Sequence, residues 1–379
     1  MREIYLDNSS TTKPCENAVK AAEIAMRSNW GNPSSLHSLG FHAEQTVNQA
    51  RETLANAIGA KKSEIIFTSC GTESNNTAIT GTVNLLKKRG NRIVTTSIEH
   101  PSVLNTVKHM EDQGFEVIYL HPDKSGVINR DDIYAAINEK TILVSMMYVN
   151  NETGYILPIN ECRRAIRAAG SPALLHCDAV QAFGKLPIKA ESLGVDLLSV
   201  SGHKIHAPKG IGALYIKSGV HIKPLLLGGG QENGMRSGTE SVPLISAFGA
   251  AVEELPDINK QLNDMQSLCD YAKNVLIKTG VVIVNSKEGS LPYILNISVP
   301  GFRSETLLHF LESKGIFVSS GSACSKGKGS YVLSELGLKQ NLVDSALRIS
   351  FSRYNTKADA DELAAALLLA TKSLRRSDI

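Results

Sequence analysis

The chain has 379 residues, 42% hydrophobic and 20% charged, with 40 basic against 37 acidic side chains and a formal net charge of +3. At roughly 150 residues per domain this length predicts two domains, or one large domain with a satellite, and a core large enough to need no disulfide staples. The charges alternate without a single-sign block, which excludes a nucleic-acid arm and a polybasic membrane patch. The six cysteines (Cys15, Cys70, Cys162, Cys177, Cys269, Cys324) contain no C-x-x-C pair. That spacing fits neither a secreted disulfide framework nor a zinc cage, so no metal site is expected. The opening MREIYLDNSS lacks the apolar stretch of a signal peptide, and the longest apolar runs, such as 364–370, are too short to span a bilayer. The composition therefore points to a soluble cytoplasmic protein in a reducing compartment, where one cysteine is free to be reactive.

In chain order, short β-rich runs are predicted at 65–68, 92–96, 115–120, 141–149, 173–177, 197–200 and 213–216. Helical patterns lie between many of them, at 73–89, 102–112 and 159–169. Several of the strands are nearly continuous apolar runs, as expected for a parallel sheet covered by helices on both faces. The alternation reads as an open α/β sheet. After residue 243 the texture changes: one long helical pattern (about 244–278) precedes strands at 281–284 and 293–299, a helix, a Gly/Ser-rich loop and a terminal helix. The expected organisation is a large domain over 15–255 and a smaller α+β domain made of 1–14 with 256–379.

Open α/β sheets place ligands beyond the carboxyl ends of their strands. The polar groups there are Gly71-Thr72-Glu73-Ser74, Glu99-His100, Asn150-Asn151-Glu152, Asp178 with Gln181, and Ser201-Gly202-His203-Lys204. No G-x-G-x-x-G, P-loop or H-E-x-x-H motif is present. An S-x-x-K match (201–204) and a K-T-G match (278–280) suggest an acyl-serine enzyme, but the S-x-N candidate at Ser74 precedes both, in the wrong order. Lys204 alone reads as a surface charge, and Asp178 alone as a helix cap. Together they supply what pyridoxal phosphate requires: a lysine to hold its aldehyde as a Schiff base and an acid to keep its ring nitrogen protonated. The stretch 70–74 adds backbone N–H groups and hydroxyls at a helix start, where the helix dipole favours a phosphate dianion.

The motifs LDNSSTT (6–12), FTSCGTESNN (67–76), IEHPSV (98–103), VNNETG (149–154), HCDAVQAFGK (176–185), SGHKIHAPKG (201–210), RSGTES (236–241), SSGSACS (319–325) and LRISFSRYNT (347–356) resemble the cysteine desulfurases. These are aminotransferase class V, fold-type I pyridoxal phosphate enzymes, and the resemblance runs the length of the chain. It is nearest the branch that supplies sulfur for iron–sulfur clusters and tRNA thiolation. It implies a large, mainly parallel α/β domain with a smaller α+β domain. By the same resemblance Lys204 forms the Schiff base, Asp178 pairs with the ring nitrogen, Gln181 binds the phenolic oxygen and His100 stacks on the ring. Gly71, Thr72, Ser201 and His203 hold the phosphate, and Thr239 reaches the phosphate of a partner subunit. Asn151 and Arg348 bind the substrate carboxylate, and Cys324 accepts sulfur from L-cysteine.

The residues carry part of this independently. Arg348 sits on an alternating strand, where it offers a bidentate fork to a carboxylate. Cys324 lies in a stretch, SSGSACSKGKGS, without a large apolar residue, and Lys326 and Lys328 favour its thiolate. Two features depart from the family pattern. The stretch after Cys324 is about two residues shorter than in housekeeping members and carries lysines in place of an acidic-proline turn, and Cys70 stands where relatives more often have glycine. The implied partners are L-cysteine, a second copy of the chain and a protein sulfur acceptor, with no direct nucleic-acid or membrane contact. Two other readings are a selenocysteine lyase or another class V enzyme, and a non-enzymatic paralogue serving as an assembly platform.

Overall fold

The computed structural model describes residues 2–320 and 329–376. After β1 (Ile4–Tyr5), seven apolar runs become the strands β2 (Ile65–Thr68), β3 (Arg92–Thr96), β4 (Glu116–Leu120), β5 (Thr141–Met147), β6 (Leu174–Asp178), β7 (Leu197–Ser201) and β8 (Gly212–Ile216). They form one sheet in the order β2-β8-β7-β6-β5-β3-β4. Every residue of β5, TILVSMM, is buried, as required when helices cover both faces. Five strands, β3 to β7, run parallel, while β8 is antiparallel to both β7 and β2. The connection from β7 to β8 spans only 202–211, too short for the crossover a parallel neighbour needs. It therefore stays at the carboxyl end of β7, and Lys204 stays with it.

Beyond this sheet, β9 (Ile283–Val284), β10 (Ile294–Ser298) and β12 (Ala346–Ser350) form an antiparallel sheet, and β11 (Ile316–Phe317) pairs in parallel with β1. Asp7 bridges to Ser350, so the amino-terminal segment lies between the site edge of the large sheet and the carboxyl-terminal strands.

The helical pattern expected over 244–278 is two helices, Val242–Glu253 and Ile258–Lys278. Pro256 explains the break: it offers no N–H and disfavours helical backbone at Leu255. Asp257 then starts the second helix by accepting the Lys260 N–H at 2.8 Å. The strand expected over 141–149 ends at Met147, where Asn150 opens a turn by accepting the N–H groups of Glu152 and Thr153, both at 3.0 Å. Among the described residues no helix is long and apolar enough to cross a membrane. No cluster of three metal-ligating side chains occurs among them either.

Candidate active site

The predicted phosphate corner forms where the helix Gly71–Leu86 points its amino terminus at the end of β7. A Cβ added at Gly71 would lie 2.8 Å from Val180 Cγ2 and 3.4 Å from Ser201 Cβ. Only glycine lets the helix start approach β6 and β7 this closely. Ser201 is 1% exposed, yet its Oγ has no hydrogen-bond partner among the described residues. A buried hydroxyl left unmatched beside free helix N–H groups is the geometry of an anion cradle.

One strand over, Asp178 ends β6 and is buried. Its Oδ1 accepts the Val180 N–H at 3.0 Å and its Oδ2 accepts Asn75 Nδ2 at 2.8 Å. The same Asn75 amide donates to Ser102 Oγ at 2.9 Å. That hydroxyl is 2.8 Å from His100 Nδ1, which also faces the Ser102 N–H at 3.1 Å. His100 caps the helix Pro101–Asp112. Nδ1 accepts the Ser102 N–H, which puts the proton of the neutral ring on Nε2; a base at Nε2 requires the other tautomer, with Nδ1–H donating to Ser102 Oγ. Burial lowers the His100 pKa, with Asp178 opposing and Lys204 reinforcing the shift, so the ring is neutral at neutral pH.

Lys204 Nζ donates to the carbonyls of Ser9 and Ser10, the latter at 2.7 Å. Gln181 Nε2 donates to the same Ser9 carbonyl at 2.9 Å. His203 turns its Nδ1 toward Thr11 Oγ1 at 3.2 Å, and its carbonyl accepts the Thr12 N–H at 2.8 Å. Burial, then the Lys204 charge, push the His203 pKa down to about 4. The motif LDNSSTT thus lines the site with its backbone, a role that residue types alone do not announce.

Arg348, on β12 and 4% exposed, donates to the Asn151 carbonyl at 3.0 Å, to Asp7 Oδ1 at 2.9 Å and to Ser10 Oγ at 2.6 Å. Its Nε and the neighbouring Asn151 Oδ1 are both buried and have no partner among the described residues. A buried donor and a buried acceptor left unmatched on two residues in contact suit the polar groups of an amino acid. Cys324 lies outside the described residues, but the chain on either side of it is anchored here. Ser319 exchanges backbone hydrogen bonds with Arg348, and the Ser330 hydroxyl donates to Glu152. Thr239 is exposed. Its segment is tied to the phosphate corner by Arg236, whose Nε donates to Glu73 Oε1 at 2.8 Å.

Cys15, Cys162, Cys177 and Cys269 are all buried. Burial raises each thiol pKa, to about 12 for Cys162 and about 11 for Cys269, so these four remain protonated and inert.

Two carboxyls that the sequence placed at strand ends without a role, Glu99 and Glu152, are buried. Glu152 is pushed up to about 7 by burial. Glu99, fully buried, is pushed up to about 8 by the same cause; its Oε1 accepts Thr96 Oγ1 and the Met147 N–H, both at 2.8 Å. The folded protein therefore keeps a proton on Glu99 that the unfolded chain releases near its ordinary pKa of 4.5. Stability is lost as pH rises through that interval. In Glu99→Gln the melting temperature should fall less between about pH 6 and about pH 9 than in wild type. Parallel curves would refute the shift.

The chain belongs to the aminotransferase class-V family, whose model matches residues 4–363. Within that family it stands among the cysteine desulfurases. It is 42% identical over 368 residues to a cysteine desulfurase of Nostoc sp. (strain PCC 7120), covering 96% of this chain and 91% of that one. It is 41% identical to the cysteine desulfurase IscS of Methanosarcina thermophila, over 96% and 90% of the two chains. Among solved structures, a NifS-like protein superposes with a TM-score of 0.93 at 36% identity, over 98% of this chain and all of its own. SspA in complex with cysteine superposes at 0.83 and 33% identity, over 93% of this chain and 100% of that one.

Proposed function

We propose that this protein is a pyridoxal 5'-phosphate-dependent cysteine desulfurase. It would convert L-cysteine to L-alanine and leave the sulfur as a persulfide on Cys324 for a protein acceptor in iron–sulfur cluster assembly or tRNA thiolation. The observation that carries the reading is the convergence of Lys204 and buried Asp178 on a helix start whose neighbour, Ser201 Oγ, is buried without a partner.

Those groups fit the cofactor. Gly71, Thr72, Ser201 and His203 would hold the phosphate, with Thr239 reaching a second copy, and Asp178, Gln181 and His100 would hold the ring. When bound, pyridoxal phosphate supplies an aldehyde for an amine and a ring that takes up the electron pair released at the substrate Cα. Arg348 and Asn151 bind the substrate carboxylate and set its orientation. Lys204 Nζ, released to its free amine, moves the Cα proton. Asp178, fixed through both oxygens, holds a proton at the ring nitrogen. His100, in the tautomer that leaves Nε2 unprotonated, takes the substrate thiol proton. The Cys324 sulfur attacks the substrate sulfur: an S–S bond forms, the substrate C–S bond breaks, and the carbon is reprotonated as alanine. Cys324 is five positions after Ser319, and that length of chain spans at most about 18 Å.

Assembly with a second copy belongs to the same reading; Trp30, Leu36, Phe41 and Leu227 are large apolar side chains exposed in the single chain. The separate sheets support the division into 15–255 and 1–14 with 256–379. A cytoplasmic site of action fits the requirement for a free thiol. Purified protein incubated with L-cysteine and a reductant should be yellow and release alanine and sulfide one for one. A yellow protein that liberates alanine only from selenocysteine would favour the lyase reading. A colourless protein that yields neither product would favour the platform.

A further inference from the structure

Lys185 is 6% exposed and takes no part in the chemistry above. It follows Gly184, whose φ of +73° and close approach to Ile205 (2.9 Å from an added Cβ) admit only glycine. This turn aims the lysine back at the site. Lys185 Nζ donates to Gln181 Oε1 at 3.1 Å and lies 5.7 Å from the centre of the Tyr293 ring. Gln181 is itself buried, and its other amide atom, Nε2, donates to the Ser9 carbonyl that also receives Lys204. The reversed amide would set its oxygen against the Ser9 carbonyl and would give up the bond that Lys185 Nζ donates to Oε1, two penalties in a buried place. Lys185, Lys204 and Tyr293 also line one small cavity of about 20 Å³.

We propose that Lys185 is a positioning residue: by occupying Gln181 Oε1 it locks the amide so that Gln181 presents only N–H to the site. The inference rests on the pyridoxal phosphate reading, in which Gln181 donates to the phenolic oxygen. Burial first, then the charges of Lys204 and Arg348, push the Lys185 pKa down to about 7; His203, His206 and Arg353 are the other titratable or charged groups near it. Its pocket thus tolerates an uncharged side chain, and Lys185→Met should fold.

The test is the pH midpoint of the bound cofactor's visible band in wild type, Lys185→Met, Gln181→Ala and the double variant. Losing an oriented donor to a phenolate raises its pKa. Lys185→Met should therefore move the midpoint upward and lower kcat by about fivefold, the worth of one hydrogen bond, with KM for L-cysteine unchanged. In the Gln181→Ala background the same change should add nothing. An unmoved midpoint in Lys185→Met, or an equal shift with Gln181 absent, overturns the proposal. If Lys185→Met does not fold, Lys185→Gln keeps an N–H donor and should hold kcat within about twofold; a larger loss with a normal fold counts against the lock. A wild-type protein with no visible band would instead refute the cofactor reading, and this inference with it.

Discussion

Lys204→Ala should lower L-cysteine turnover by about 10⁴-fold or more, since the variant loses both the covalent anchor and the base that moves the Cα proton. Wild-type holoenzyme treated with borohydride should carry the reduced cofactor on the peptide containing Lys204, and the variant should carry none. The structure makes this test sharper, because beside partly buried Lys204 the site holds a second lysine that is buried. Lys185 lies among the same residues with a pKa pushed down to about 7, a feature that also marks imine-forming lysines. Position separates the two. Lys204 stands directly after β7, beside Ser201 and His203, whereas Lys185 is engaged with Gln181. Cofactor recovered on the Lys185 peptide would exchange their roles.

Cys324→Ser should abolish persulfide formation and reduce sulfur transfer by at least about 10²-fold, because a serine hydroxyl is no substitute for a thiolate nucleophile. The visible band should be unchanged, since Lys204, Asp178 and the phosphate corner are untouched. The burial of the four inert thiols strengthens this expectation. Among the described residues only Cys70 is incompletely buried. It precedes the helix Gly71–Leu86 and offers its carbonyl to the Ser74 N–H at 3.1 Å. If Cys324→Ser retained full transfer while Cys70→Ser lost it, the sulfur acceptor would be reassigned.

The strands of the large sheet were legible to within two residues because a strand buried on both faces must be continuously apolar, and few other arrangements use such runs. The direction of β8 was not legible: a strand reads the same in both directions, and only the short span from β7 decides it. The break at Pro256 was written in the chain, since proline and a capping aspartate stand side by side, but the apolar periodicity on both sides concealed it.

Amino-acid identity by itself determined the chemistry this protein has available: a lysine and an acid at strand ends, an arginine on an alternating strand and one cysteine in a polar stretch. Only the tertiary structure decided which of these meet. Arg348 joins Asp7, and Lys204 joins Ser9, across more than half the chain. The contacts that orient the site, from Asn75 to Asp178 and from Lys185 to Gln181, join residues whose types are ordinary anywhere else. Burial gives them their meaning. Away from water an unmatched donor or acceptor is costly, so matched pairs fix the orientation of the groups around the site, and the few left unmatched, Ser201 Oγ and Arg348 Nε among them, mark where a ligand fits.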